Sequence, residues 1–134
     1  MAESQTHIDL VSALVSFVAS QYFNGESGCI LVDSPESSNR PCPISGFVPD
    51  VYANGQSSGL VFVGEAKTAG DVESRHTREQ VTAFLKFCAA RPGSVFLFAV
   101  PWHMTRCARM LVRNIGRSVG CDGVETIVLD GLVG

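Results

Sequence analysis

The sequence has no apolar run near the roughly 18 residues that a membrane-spanning helix needs. Its first helical stretch, Ile8 to Val18, is interrupted by Asp9, Ser12 and Ser16. That stretch also lacks a basic leading segment and a clean cleavage site, so it does not read as a signal peptide and no membrane partner is expected. There is no internal repeat and no low-complexity tract, which excludes solenoid and fibrous architectures. Closely spaced cysteine pairs are missing too. The five cysteines, at 29, 42, 88, 107 and 121, are odd in number, which argues against a zinc knuckle and for reduced, partly buried thiols in a cytoplasmic protein. Nor is there an excess of positive charge. The net charge of −3 argues against a general nucleic-acid coat protein.

What is there suits a single domain. The 134 residues are 46% apolar, enough for a core, and one domain over residues 1–134 is expected. Ile8, Val11, Leu14, Val15 and Val18 recur at helical spacing, with Thr6 and Asp9 as the expected cap. Cys29 to Val32 reads as a strand, residues 33–46 as a loop rich in Ser, Pro, Asn and Gly, and Phe47 to Ala53 as a strand. The turn residues Asn54 to Gly59 suggest a hairpin into the clearest strand, Leu60 to Lys67. A helix is expected from Thr77 to about Ala90, opened by Thr77-x-x-Gln80 and closed by Pro92 and Gly93. Ser94 to Val100 reads as a central strand, apolar on both faces. A helix with Ala108, Leu111, Val112 and Ile115 inward follows, then a strand from Val124 to Leu129. The order α, β, β, β, α, β, α, β predicts an α/β fold, a mixed β-sheet flanked by helices, with a crossover helix before a parallel pair.

Charge is unevenly distributed. From His103 to Arg117 there is no acid, and Arg106, Arg109, Arg113 and Arg117 follow one another at spacings of three, four and four. Those spacings put them on one side of a helix. They form either an ordinary solvated face or a track for backbone phosphates.

The third strand carries the chemistry. Side chains alternate, so Val61, Val63, Glu65 and Lys67 share one face and Leu60, Phe62, Gly64 and Ala66 the other. Two charges at the end of an otherwise apolar strand are expensive to bury unless they are paired or act on something polar. Alone, Glu-x-Lys is a common ion pair. The preceding strand adds Asp50, which a hairpin brings beside Glu65. Two carboxylates so placed repel each other, and a hard divalent cation such as Mg²⁺ or Mn²⁺ removes the repulsion. Lys67, one pleat away, is positioned to orient or deprotonate an attacking water, or to stabilise charge on a phosphate. The set suits metal-assisted phosphodiester hydrolysis.

Pro49-Asp50, fourteen residues, then Glu65-Ala66-Lys67 resembles the signature of the PD-(D/E)XK nuclease superfamily. With Arg78-Glu79-Gln80 and the strand from Ser94 to Val100, the likeness runs from about Pro49 to Trp102 and resembles archaeal Holliday-junction resolvases in particular. It implies a restriction-endonuclease-like fold. It also implies metal binding by Asp50, Glu65 and the backbone carbonyl of Ala66, with Lys67 serving the nucleophile. Gln80 matches a glutamine near the active site of RecB-like members, in a Gln-x-x-x-Tyr motif whose last position here is Phe84; otherwise it caps its own helix. Resolvases usually carry a glutamate on the first helix as a further metal-site residue. Here His7 falls near that place, with Glu3 one turn earlier; either stands in for the glutamate as a further metal-site residue, or neither does, which implies a less acidic site.

Two functional readings follow, beside the plain one of an unrelated α/β domain with a chance Glu-x-Lys pair. One is a metal-dependent endonuclease cutting DNA, including branched DNA such as Holliday junctions, and acting as a homodimer because one site cuts one strand. The other is a nuclease-fold binding or scaffold protein with weak or no catalysis. Three further signals carry less. Gly55-Gln-Ser-Ser-Gly59 matches a nucleophile elbow, but a strand rather than a helix follows it. His76 and His103 read as solvated, and Trp102 as a core or interface aromatic.

Overall fold

The expected strand around Val63 is the centre of the molecule. In the computed structural model, which describes residues 4–55 and 59–131, Val61–Ala66 forms a strand with every residue buried. The elements run α1 (Gln5–Tyr22), β1 (Ile30–Val32), β2 (Val51–Asn54), β3 (Val61–Ala66), α2 (Arg75–Ala89), β4 (Val95–Ala99), α3 (Thr105–Ser118) and β5 (Glu125–Leu129). This is the order expected from the periodicity. Short 3-10 turns cover Ala69–Asp71 and Trp102–Met104.

The strands form one mixed sheet in the spatial order β1-β2-β3-β4-β5. β1, β2 and β3 pair antiparallel, whereas β3, β4 and β5 pair parallel. β3 and β4 are buried on both faces, and the alternation along them sorts the core into two layers. Phe62, Ala66, Leu97 and Ala99 pack with Leu10, Leu14 and Val18 of α1. Val61, Val63, Phe96 and Phe98 pack with Val81, Phe84 and Leu85 of α2 and Ala108 and Val112 of α3. Each fully buried Val, Leu or Phe side chain among them contributes about 1.5–3 kcal/mol of transfer free energy. All five cysteines are free, with Cys88 and Cys121 buried and Cys107 half-buried. Among the described residues no helix is long and apolar enough to cross a membrane.

The element boundaries differ from expectation where caps and turns compete. α1 starts at Gln5 because the Ser4 side chain, rather than Thr6 or Asp9, accepts the His7 N–H at 3.1 Å. Asp9 instead accepts from Gln5 Nε2 at 2.8 Å. α2 starts at Arg75 because Ser74 accepts the Thr77 N–H at 3.1 Å. Thr77 turns its hydroxyl to the Asp71 carbonyl at 2.6 Å. Gln80 therefore lies in the second turn and is not a cap. β2 begins at Val51, not Phe47. Ile44 and Phe47 form an isolated bridge around Ser45 and Gly46, whose φ values of 52° and 87° make a tight turn, a geometry suited to two-residue hairpins. The Gly55–Gly59 segment joins two antiparallel strands, which suits a hairpin and not a nucleophile elbow; residues 56–58 of it lie outside the described residues.

Gly64 lets α1 lie on the sheet. A Cβ there would meet the Val51 Cβ at 3.2 Å and both Leu14 methyls at 3.4 Å. Gly64→Val is expected to lower unfolding stability by about 1–3 kcal/mol through overpacking, read as a lower urea midpoint. An unchanged midpoint would mean that α1 does not depend on this close approach.

Candidate active site

The β2–β3 ladder sets the site. Val51 pairs with Gly64, so Asp50 and Glu65 are the next opposed residues, at the point where the two strands part. Each acid is held through the other's strand. The Asp50 N–H donates to Glu65 Oε1 at 3.3 Å, and the Ala66 N–H donates to Asp50 Oδ2 at 2.8 Å. Asp50 is 8% exposed and Glu65 3%, so both carboxyls are deep enough for their charges to matter.

Three more side chains converge on them. Glu65 points to the layer of α2 and α3, as strand parity requires. There Gln80 of α2 donates through Nε2 to Glu65 Oε2 at 3.3 Å. Lys67 Nζ lies 3.4 Å from the same oxygen. Asp50 reaches the sheet's other layer, where Nε2 of His7, in the first turn of α1, lies 3.3 Å from its Oδ2. The cluster thus straddles the end of the sheet. A cleft of about 310 Å³ adjoins it, lined by Ser4, His7, Ala66, Lys67, Thr68 and Asp71, with neither acid in its lining.

The electrostatics follow from this burial. The Glu65 carboxyl is pushed up from its usual 4.5 to about 8, first by desolvation and then by the Asp50 charge. The Lys67 ammonium and the Asp50 N–H oppose that rise. Two buried carboxylates cannot both be charged cheaply without a compensating cation. The oxygen donors of the two carboxylates, with the His7 imidazole beside Asp50, fit a hard divalent ion such as Mg²⁺ or Mn²⁺. Gln80 Oε1 is buried without a hydrogen-bond partner among the described residues, an acceptor that costs about 1–3 kcal/mol until something polar meets it. No group of three or more His, Cys, Asp or Glu among the described residues is already arranged to hold a metal. Glu3, the alternative to His7 as a further metal-site residue, lies outside the described residues.

The structure brings together Asp50, Glu65, Lys67, Gln80 and His7, with Ala66 on the cleft wall. It does not bring the arginines. Arg106, Arg109, Arg113 and Arg117 are all exposed on α3, opposite its buried face of Ala108, Leu111, Val112 and Ile115. Among the described residues none contacts the acidic pair. His76 is exposed with its ring edge-on to Phe47. Trp102 is not a core residue, being 60% exposed. Ser4 and Thr68 line the cleft without any motif that would single them out. No protein-family model, curated protein or solved structure matches the chain.

The raised Glu65 carboxyl has a defined sign. Between pH 4.5 and about 8 the folded protein keeps a proton that the unfolded chain releases, so stability is lost as pH rises through that window. Metal-free protein is expected to melt at progressively lower temperature from about pH 5 to about pH 9, and Glu65→Gln to flatten that decline. Added Mg²⁺ is expected to raise the melting temperature more at the alkaline end, where the proton is already gone. A decline as steep in the variant as in the wild type would place the titrating group elsewhere.

Proposed function

We propose that this chain is a metal-dependent nuclease of the PD-(D/E)XK type that hydrolyses phosphodiester bonds in DNA. The observation that carries the reading is the opposed, buried pair of Asp50 and Glu65 at the end of the β2–β3 ladder, with Lys67 one pleat beyond on the Glu65 side. A mixed five-stranded sheet flanked by helices supports the restriction-endonuclease-like fold that the sequence resemblance implies. Asp50, Glu65, His7 and the Ala66 carbonyl are the groups that would hold Mg²⁺ or Mn²⁺. Bound there, the cation would neutralise the carboxylates and polarise the scissile phosphate.

The chain's own residues do the rest. Gln80 donates to Glu65 Oε2 and holds that carboxylate in one orientation. Lys67 sets an ammonium beside the same oxygen and on the cleft wall, where it orients water and stabilises charge that develops on phosphate oxygens. Water oxygen bonds to phosphorus as the bond from phosphorus to the leaving oxygen breaks. A phosphate monoester and a hydroxyl result. One site cuts one strand, so cutting both strands calls for two copies, and a two-fold homodimer is part of the proposal. The exposed arginines of α3, facing away from the core, suit a backbone-phosphate track. The five free thiols fit a reducing, cytoplasmic setting.

A second reading is favoured by one observation: no three metal-ligating side chains among the described residues stand in metal-holding geometry. It makes the chain a nuclease-fold binding or scaffold module for nucleic acid.

Labelled linear, flapped and four-way DNA separates the two readings. With Mg²⁺ or Mn²⁺ the wild type is expected to cut, and Asp50→Ala and Lys67→Ala each to lose at least about 100-fold in rate while keeping their circular dichroism. Binding without cutting by folded wild-type protein would select the module. Salt titration tests the arginines. Arg109→Ala with Arg113→Ala is expected to flatten the log–log salt dependence of DNA binding by about 0.9 per lost phosphate contact. An unchanged slope would make the stripe a solvated face.

A further inference from the structure

The carboxyl ends of β3, β4 and β5 all point the same way, and in open parallel sheets ligands sit outside those ends. A second cleft, of about 610 Å³, lies there. Thr68 and Ala69 follow β3, Pro101, Trp102 and His103 follow β4, and Asp130 follows β5; each of them lines it. It shares Ser4 and Thr68 with the smaller cleft that holds His7 and Lys67, so the two adjoin.

Trp102 is the feature without a structural explanation. An indole 60% exposed forgoes most of the burial that makes Trp useful in a core. Its backbone is nonetheless held. The Met104 N–H donates to the Pro101 carbonyl at 2.8 Å, and Thr105 Oγ1 donates to the Trp102 carbonyl at 3.0 Å. The His103 ring stands edge-on to the indole, with centroids 5.6 Å apart. The result is a buttressed aromatic surface on the wall of a cleft that adjoins the one lined by His7 and Lys67.

We infer that this cleft takes one unpaired base of single-stranded DNA, stacked on Trp102 beside the phosphate presented to Lys67. The inference rests on the nuclease reading above and extends it to a substrate class. Asp9, whose carboxylate accepts only from the uncharged Gln5 amide among the described residues, also lines the cleft. Its charge opposes a phosphate there and leaves the uncharged base as the part that fits, with the sugar-phosphate directed toward Lys67. A base in a duplex has both faces covered by its neighbours, so only an unpaired or frayed nucleotide offers a face to the indole. Stacking of this kind is sequence-tolerant because every base has a π-face.

Trp102 is the chain's single tryptophan, so its fluorescence reports the cleft directly. In chelator, full-length protein is titrated with a single-stranded oligodeoxynucleotide, with a blunt duplex and with the matching RNA. Saturable quenching by the single-stranded DNA, weaker with duplex, is expected. By anisotropy, Trp102→Ala is expected to lose about 5- to 150-fold in affinity for single-stranded DNA and Trp102→Phe to keep most of it. No quenching, equal quenching by duplex, quenching by RNA alone, or unchanged affinity in Trp102→Ala would overturn the inference. So would a change of oligomeric state in Trp102→Ala by light scattering, which would make the indole an interface residue. Metal-dependent cleavage without quenching would sink this inference and leave the nuclease reading standing. Quenching without cleavage would do the reverse.

Discussion

Burying two carboxylates against each other is the constraint on which the arrangement turns. Asp50 and Glu65 are tolerated because each accepts an N–H from the other's strand: Asp50 N–H to Glu65, Ala66 N–H to Asp50. Those bonds exist only in one register of β2 on β3, since a slip of one residue would turn every side chain to the opposite face. The hairpin, the alternation of Val61, Val63 and Glu65, and the placement of Lys67 are therefore a single condition. Even so satisfied, Glu65 is left with a carboxyl that prefers its proton near neutrality. The residual frustration has the sign that a cation would relieve.

The two helix layers complete the cluster from opposite sides. Gly64 allows Leu14 to press against the sheet, which sets the depth of α1, and the Ser4 cap starts that helix early enough to carry His7 in its first turn. On the other face Ser74 starts α2 two residues before the expected boundary, so that Gln80 turns inward to Glu65. Small polar residues at helix starts, each worth about 1 kcal/mol as caps, thus decide which long side chains reach the site. Trp102 shows the same logic at the strand ends, where a 3-10 turn presents a side chain outward and the parallel sheet supplies the cleft.

Alternation and helical spacing were enough to read the element order, the mixed sheet and the doubly buried strands, with Glu65 and Lys67 at the end of one of them. These are short-range properties, because period 2 or 3.6 assigns a face without knowledge of partners. Cap choice was not readable. Thr6, Asp9, Ser4, Ser74 and Thr77 all have the chemistry, and competition for particular N–H groups selected among them. What the sequence by itself determined is which residues are acidic, basic and apolar on each strand and helix face. Only the tertiary structure decided that His7, 43 positions from Asp50, and Gln80, 15 from Glu65, meet at one sheet end while the arginines of α3 do not. Contacts across that separation depend on how layers stack, and stacking is set by the packing of Leu14 on Gly64 and of α2 on β3, which no local pattern encodes.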